Sequence, residues 1–380
     1  MRKFFIILGL FFAVTVKVFA VPAYPYPIEY QLPDGTTITI TLKGDENINW
    51  AVSEDGYTLL RNSEGFFEYA KHAENNDLVL SGIVAKNIDE RTIDDTLFLN
   101  QIDKDLRYSS EQIYYLLQIK DKRNSFEKRV KEKEKTGNRD VTGSKTFPVI
   151  LVGFQGKPFT KTKADFETLF NQPNYTGGGM NGSLYDFFIE SSYNKLQFKC
   201  DVFGPFTLSG PISDYDDECG GDPRNMAREA FQLAANNGCN FSLYDADGDG
   251  YVDGTHIVYA GYGQDAGAPK CQSIWAHQWA FWPPLVLNGK NVYTYSCSAE
   301  LRDTYGSNIN NIGVVAHELG HALGLPDFYD TDYEKSGGQS VDLGGWCLMA
   351  GGSWGDGGRT PSMPSAWCKD FLGWVNTEIL

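Results

Sequence analysis

Between residues 21 and about 100, short runs of alternating apolar and polar residues are separated by turn signals. Thr36–Leu42 follows Pro33-Asp34-Gly35, Tyr57–Leu60 follows Asp55-Gly56, and Phe66–Tyr69 follows Gly65. A period of two buries one face of a strand, and Asp-Gly pairs suit tight hairpins, so this stretch predicts a small antiparallel β domain. From Asp103 to Lys135 helix formers take over, and Lys122–Lys135 alternates Lys, Arg and Glu with few core-sized residues. That is the pattern of a solvated helix fraying into a linker. Thr136–Lys145 is polar and studded with basic residues, which predicts a domain boundary and a site for proteolytic removal of everything before it.

Phe147–Phe154 is an apolar, β-rich run suited to a buried strand that opens a second domain. Helical patterns follow at 164–170, 184–191 and 225–236, and a further apolar helix begins near Val314. Strands and helices mixed in this way, after a run of strands alone, predict an α+β chain.

Composition changes this picture in three places. The 33 Lys+Arg against 49 Asp+Glu give a formal charge of −16, which repels phosphate backbones and argues against nucleic acid as a partner. Met1-Arg2-Lys3, the apolar run from Phe4 to Val16, and Val18-Phe19-Ala20 read as a secretory signal peptide cut after Ala20. The run is shorter than the roughly 20 residues of a spanning helix and is broken by Lys17, so no stable membrane anchor is expected. The expected location is outside the cell or in the periplasm. All seven cysteines, at 200, 219, 239, 271, 297, 347 and 368, lie in the second half. Some should pair in an oxidising compartment, and an odd total leaves at least one out.

The strongest chemical signal is His317-Glu318-Leu319-Gly320-His321, continued by Gly324, Pro326 and Asp327. Histidines four apart stand one above the other on a helix face, so both imidazoles can reach one Zn²⁺. Glu318 is placed to take a proton from water on that metal as the water attacks a carbonyl. Gly324 suits the left-handed conformation that ends a helix, and Pro326 prevents it from resuming. The turn back brings Asp327 into reach as a third ligand, with His256 and His277 as alternatives. Further on, Met349 lies in the Gly-rich turn Trp346–Trp354, where extended zinc-protease motifs place a methionine beneath the metal.

A second constellation, Asp245-Ala246-Asp247-Gly248-Asp249-Gly250-Tyr251-Val252-Asp253, matches the first nine positions of a calcium loop. Asp245, Asp247, Asp249 and Asp253 offer carboxylates and Tyr251 a backbone carbonyl. Position 12 is His256 rather than a bidentate Glu, so the loop is incomplete as an EF-hand. Calcium there would brace the domain.

At these motifs the chain resembles the immune inhibitor A family of secreted bacterial zinc metallopeptidases. The resemblance rests on His317–Asp330, Trp346–Trp354, Tyr251–Gly254, Ile274–His277, and Gly182–Phe188 with Ser191-Ser192-Tyr193, and covers roughly 147–375. Leu32–Thr36 and Leu42–Glu46 are similar to a family pro-segment. The resemblance implies a zymogen divided as signal peptide 1–20, pro-domain and basic linker 21–145, and catalytic domain 146–380. It further implies a metzincin-like domain with a twisted sheet above the active-site helix, protein or peptide substrates, and an activating protease acting at the linker. Since no cysteine precedes Cys200, latency cannot use a thiolate; a carboxylate, His72 or steric cover remain.

The leading expectation is therefore a secreted zinc endopeptidase. A calcium-braced adhesion protein with a vestigial zinc site is the alternative from another class, although an intact Glu318 argues against it. Hydrolysis of non-peptide amides is the third reading.

Overall fold

The computed structural model describes residues 19–124, 141–331 and 342–376. The leader up to residue 18 and most of the basic linker lie outside them. The N-terminal sheet is an antiparallel meander in sequence order: β2 (Ile28–Gln31), β3 (Thr37–Gly44), β4 (Asn49–Ser53), β5 (Thr58–Arg61), β6 (Phe67–His72) and β7 (Leu78–Val84). The hairpins follow the alternation: Ile38 and Ile40 are buried in β3 while Thr37 is exposed. Two helices follow, α1 (Ile93–Leu99) and α2 (Ser110–Asn124). The acid-base stretch beyond α2 lies outside the described residues.

The second domain is built on β8 (Gly143–Gly153), β9 (Leu196–Thr207), β10 (His256–Tyr259), β11 (His277–Leu287) and β12 (Lys290–Ala299), in the order β11-β12-β10-β8-β9. Neighbours from β12 to β9 run parallel, and β11 is antiparallel to β12. Along β8, Val149 and Leu151 enter one core while Ile150 and Val152 enter the other, so the apolar run is buried on both faces. On the first face pack α3 (Lys163–Asn171), α4 (Leu184–Ser191) and α6 (Ile312–Ala322); α5 (Pro223–Asn236) covers the other. Thr162 and Ser183 close capping boxes on α3 and α4, which explains their sharp starts. A last helix, α7 (Ala366–Phe371), ends the described chain.

The domain begins slightly earlier than the sequence suggests. Val141 is buried, its N–H donates to Leu372 O, and its carbonyl accepts from the Trp374 indole, so the segment before Lys145 already belongs to the second core. Cys219 and Cys271 form a disulfide, and the other five cysteines are buried thiols. No helix among the described residues is long and apolar enough to cross a membrane.

One strand joins the two parts. Phe19–Ala20, labelled β1, pairs antiparallel with the start of β11, Phe19 opposite Gln278 and Ala20 opposite His277. Without it, β11 would be the sheet's free edge.

Candidate active site

Helix α6 forms because Ile312, Val315, Ala316, Leu319 and Leu323 present one apolar stripe to the core beneath the sheet, while Val314 packs on another face with Ala276 and Trp354. It ends as the spacing predicts: Gly324 has φ of +100°, and Leu325 N–H returns to Gly320 O. The reversal carries Asp327 back to the histidines.

His317 Nε2 and His321 Nε2 stand 3.1 Å apart, and Asp327 Oδ1 lies 3.2 and 3.3 Å from them. Each ring's Nδ1 donates to a backbone carbonyl, His317 to Leu348 and His321 to Leu325, both at 2.8 Å. A carbonyl only accepts, so in the neutral rings both Nε2 atoms carry lone pairs into the same space. Asp327 is buried there with Oδ2 accepting no hydrogen bond. Three bare donors converging this closely are unfavourable unless a cation sits among them. Ligands on bonds of about 2.0–2.1 Å in a tetrahedral shell would be spaced by roughly 3.3 Å, so the set fits zinc. Burial pushes the Asp327 carboxyl up, but His321 and His317 outweigh it and hold it below the usual range. His321 is held low, chiefly by burial.

Glu318 is fully buried beside this cluster. Its Oε1 accepts from Val21 N–H at 3.0 Å, and its Oε2 accepts no hydrogen bond. Burial, then the charges of Asp327 and of Glu46 in the turn after β3, raise its pKa well above the usual carboxylate range.

Met349 is fully buried under α6. A Cβ on Gly320 would stand 2.6 Å from Met349 Sδ, so a glycine between the histidines lets the methionine close the floor of the cluster. The turn also supplies Leu348 O to His317. Sequence reasoning passed over Gly320, although a glycine inside an apolar helix costs stability and so calls for a packing reason.

His256 and His277 are placed elsewhere. His256 is buried between Ser296 and Ser298, at 2.8 and 2.9 Å from their hydroxyls, and burial lowers its pKa to about 3. His277 bonds Trp275 O and Tyr295 OH. Neither joins the cluster, whose third member is Asp327. His72 is an exposed residue near Arg107 O and is absent from the cluster.

In the acidic loop, Asp245, Asp247 and Asp249 bring one oxygen each within 4.8 Å of one another. Asp253 is not in this set; its Oδ2 accepts from Ala246 N–H, within the loop, and from Lys145, and Tyr251 bridges to Asn291. Lys290 pairs with Asp245 Oδ2 at 2.6 Å, so part of the mutual repulsion of these carboxylates is relieved by a lysine. Asp245 Oδ1 remains buried with no hydrogen bond.

Known proteins share this arrangement's sequence. The chain is 34% identical over 195 residues to Immune inhibitor A of Bacillus thuringiensis subsp. alesti, a match covering 44% of this chain and 28% of that protein. It is 30% identical over 249 residues to the Pre-pro-metalloprotease PrtV of Vibrio cholerae, covering 56% of this chain and 27% of that protein. The match thus spans less than a third of either relative. Residues 159–376 match the family described as immune inhibitor A peptidase M6, catalytic domain. The matched segment exceeds half the sequence and contains every residue of the His317–Asp327 cluster, and the chain therefore belongs to the immune inhibitor A (M6) family of metallopeptidases.

Proposed function

We propose that the chain is a secreted zinc endopeptidase made as a latent precursor, with His317, His321 and Asp327 holding the metal and Glu318 as general base. The observation that carries this reading is the convergence of His317 Nε2, His321 Nε2 and an Asp327 carboxylate oxygen, all buried, beside the buried Glu318 carboxyl. Bound there, zinc supplies Lewis acidity that acidifies water and polarises a peptide carbonyl. Leu348 O and Leu325 O fix the ring orientations, so both Nε2 atoms stay aimed at the metal position. Glu318 takes the proton of the attacking water on its free Oε2 side and returns it to the departing nitrogen, which makes the amine a leaving group. Met349 holds the helix against the turn that carries Leu348.

The N-terminal β domain is read as the pro-domain and the basic stretch as the activation linker. Support comes from Val21, whose N–H donates to Glu318 Oε1 and whose side chain is buried against Ala276, Val314 and Trp354, an arrangement that fits latency by steric cover. The zymogen, the leader peptide cut after Ala20, and the metzincin-like reading of the catalytic domain belong to the same proposal. Calcium on Asp245, Asp247 and Asp249 is proposed as a brace, supported by the unpartnered Asp245 Oδ1.

The test is cleavage of an unfolded protein by the full chain, before and after limited proteolysis between residues 125 and 140, with zinc content measured in parallel. Activity that appears after nicking and is abolished by Glu318→Ala and by a zinc chelator is expected. Zinc-loaded, nicked chain that cuts no peptide bond would overturn the reading in favour of a non-peptide hydrolase or a binding protein.

A further inference from the structure

The Cys219–Cys271 disulfide leaves five buried thiols, and two of these meet beneath the metal cluster. Cys347 stands two residues before Met349 in the turn Trp346–Trp354, and Cys368 lies within α7. Both are fully buried, in the same core as α6. Their side chains are hydrogen-bonded to each other, Cys368 S–H donating to the Cys347 sulfur. Ser365, at the start of α7, orients the second thiol: its Oγ accepts from Cys368 N–H and donates to Cys368 Sγ, both at 3.3 Å. The remaining thiols are placed otherwise. Cys200 belongs to the core on the α6 side of the sheet and Cys239 and Cys297 to the opposite one, and Cys297 Sγ lies 3.5 Å from His277 Nδ1.

We propose that Cys347 and Cys368 are oxidised to a second disulfide, which fastens the turn beneath the metal cluster to α7. The Cys219–Cys271 bridge is itself the mark of a chain that folds where thiols are oxidised. Two thiols facing each other in a dry core gain only one weak S–H···S contact. A bond between them closes a loop of about 20 residues and restricts the unfolded chain, which stabilises the folded one.

The step is thiol–disulfide exchange with an oxidant of the disulfide class, either a small-molecule disulfide or the disulfide of an oxidoreductase. The thiolate of one cysteine attacks a sulfur of the oxidant and expels the other sulfur as a thiolate. The second cysteine, deprotonated in turn, attacks its partner's sulfur and releases the first. One S–S bond forms in the chain and one breaks in the oxidant, which receives two electrons and two protons and leaves as two thiols. Because both sulfurs are fully buried once folded, no oxidant reaches them there, and the exchange belongs to the stage at which α7 docks.

Leu348 carries the consequence to the site. Its carbonyl holds His317 Nδ1, and its N–H donates to Met363 O, so the residue next to Cys347 links the metal cluster to the segment before α7. Beyond α7, Leu372 O and the Trp374 indole both bond Val141, which follows the linker directly. A cut in the linker therefore frees the chain close to a contact that anchors α7. A covalent bond between residues 347 and 368 keeps α7 and the turn together whatever happens at that cut. This consequence rests on the zinc and precursor readings above; the bond itself does not.

The test uses the full chain, refolded from the reduced state in a mixture of oxidised and reduced glutathione. Free thiols are then alkylated and the chain is digested with trypsin without reduction. Cleavage after Lys335, Arg359 and Lys369 separates the two cysteines. The bond should appear as residues 336–359 joined to 360–369, lighter than the two peptides together by two hydrogens. Cys347 and Cys368 both alkylated, in chain whose Cys219–Cys271 bridge has formed, would overturn the proposal. A bond is lost whichever end is removed, so Cys347→Ala, Cys368→Ala and the double variant should lower the melting temperature by the same amount, on the order of 5–10 °C. Losses that add between the single variants would mean two separately packed thiols and would overturn it too. Each variant should also bind zinc about tenfold more weakly, the scale of a disturbed support to a ligand. An unchanged zinc affinity would overturn the fastening role. Wild-type chain that carries the bond but binds no zinc would uphold the bond and count against the metal reading alone. Where a variant fails to fold, the peptide map of the wild type still decides.

Discussion

Gly320 and Met349 meet so closely that the helix tolerates no side chain at 320: a Cβ there would stand 2.6 Å from the methionine sulfur. In an exposed helix, Gly→Ala gains about 1 kcal/mol of stability. Here the sign reverses, because the added methyl must displace a fully buried side chain. Gly320→Ala should destabilise by about 1–3 kcal/mol, in the range of overpacked cores, and lower zinc content. Denaturant unfolding of Gly320→Ala, Met349→Ala and the double variant checks this. The pair should be non-additive, with the double variant recovering part of the loss. Strict additivity would show that the two do not interact.

Asp327→Ala should lower zinc affinity by more than the roughly 10–100-fold typical of residues that only support a ligand. Competitive titration with a coloured chelator measures it. His256→Ala and His277→Ala serve as comparisons, since neither ring lies in the cluster. A zinc affinity unchanged in Asp327→Ala would place the third ligand elsewhere.

The buried ring of His256 makes stability depend on pH. Its folded-state pKa is near 3, against 6.5 for the free ring. The folded state therefore excludes a proton that the unfolded chain takes up. The stability gained by keeping the ring neutral is complete above about 6.5 and is lost as pH falls toward 3. The slope contributed by one proton is about 1.4 kcal/mol per pH unit in that window. Urea unfolding at pH 7, 5.5 and 4.5 should show a steeper acid loss in the wild type than in His256→Asn. Parallel slopes would contradict the account.

If calcium occupies the acidic loop, added Ca²⁺ should raise the melting temperature in proportion to the logarithm of its concentration once above Kd. Asp247→Asn and Asp249→Asn should remove the response, whereas Asp253→Asn should retain most of it, because Asp253 is engaged with Ala246 and Lys145. A response lost equally in all three would restore Asp253 to the coordinating set.

Sequence periodicity alone determined a good deal here. The hairpins of residues 36–69, the buried strand near 147–154 and the helices at 163–171, 184–191 and 223–236 were all legible because burial on one or both faces repeats at a fixed interval. So were His317, Glu318 and His321, since helical geometry sets an i, i+4 pair on one face without help from the rest of the chain. Asp327 was legible through Gly324, whose left-handed turn is a local property. Contacts distant in the chain were not legible. Val21 reaches Glu318 across 297 residues, Trp354 reaches Pro22 across 332, and nothing in either local pattern distinguishes those residues from ordinary core. The acidic loop shows the same limit, because counting its carboxylates gave no hint that Lys145 and Lys290 would come to them. Local spacing decides which residues share a face, whereas what that face meets is set by how sheet, helix and turn pack together, a choice spread over the whole chain.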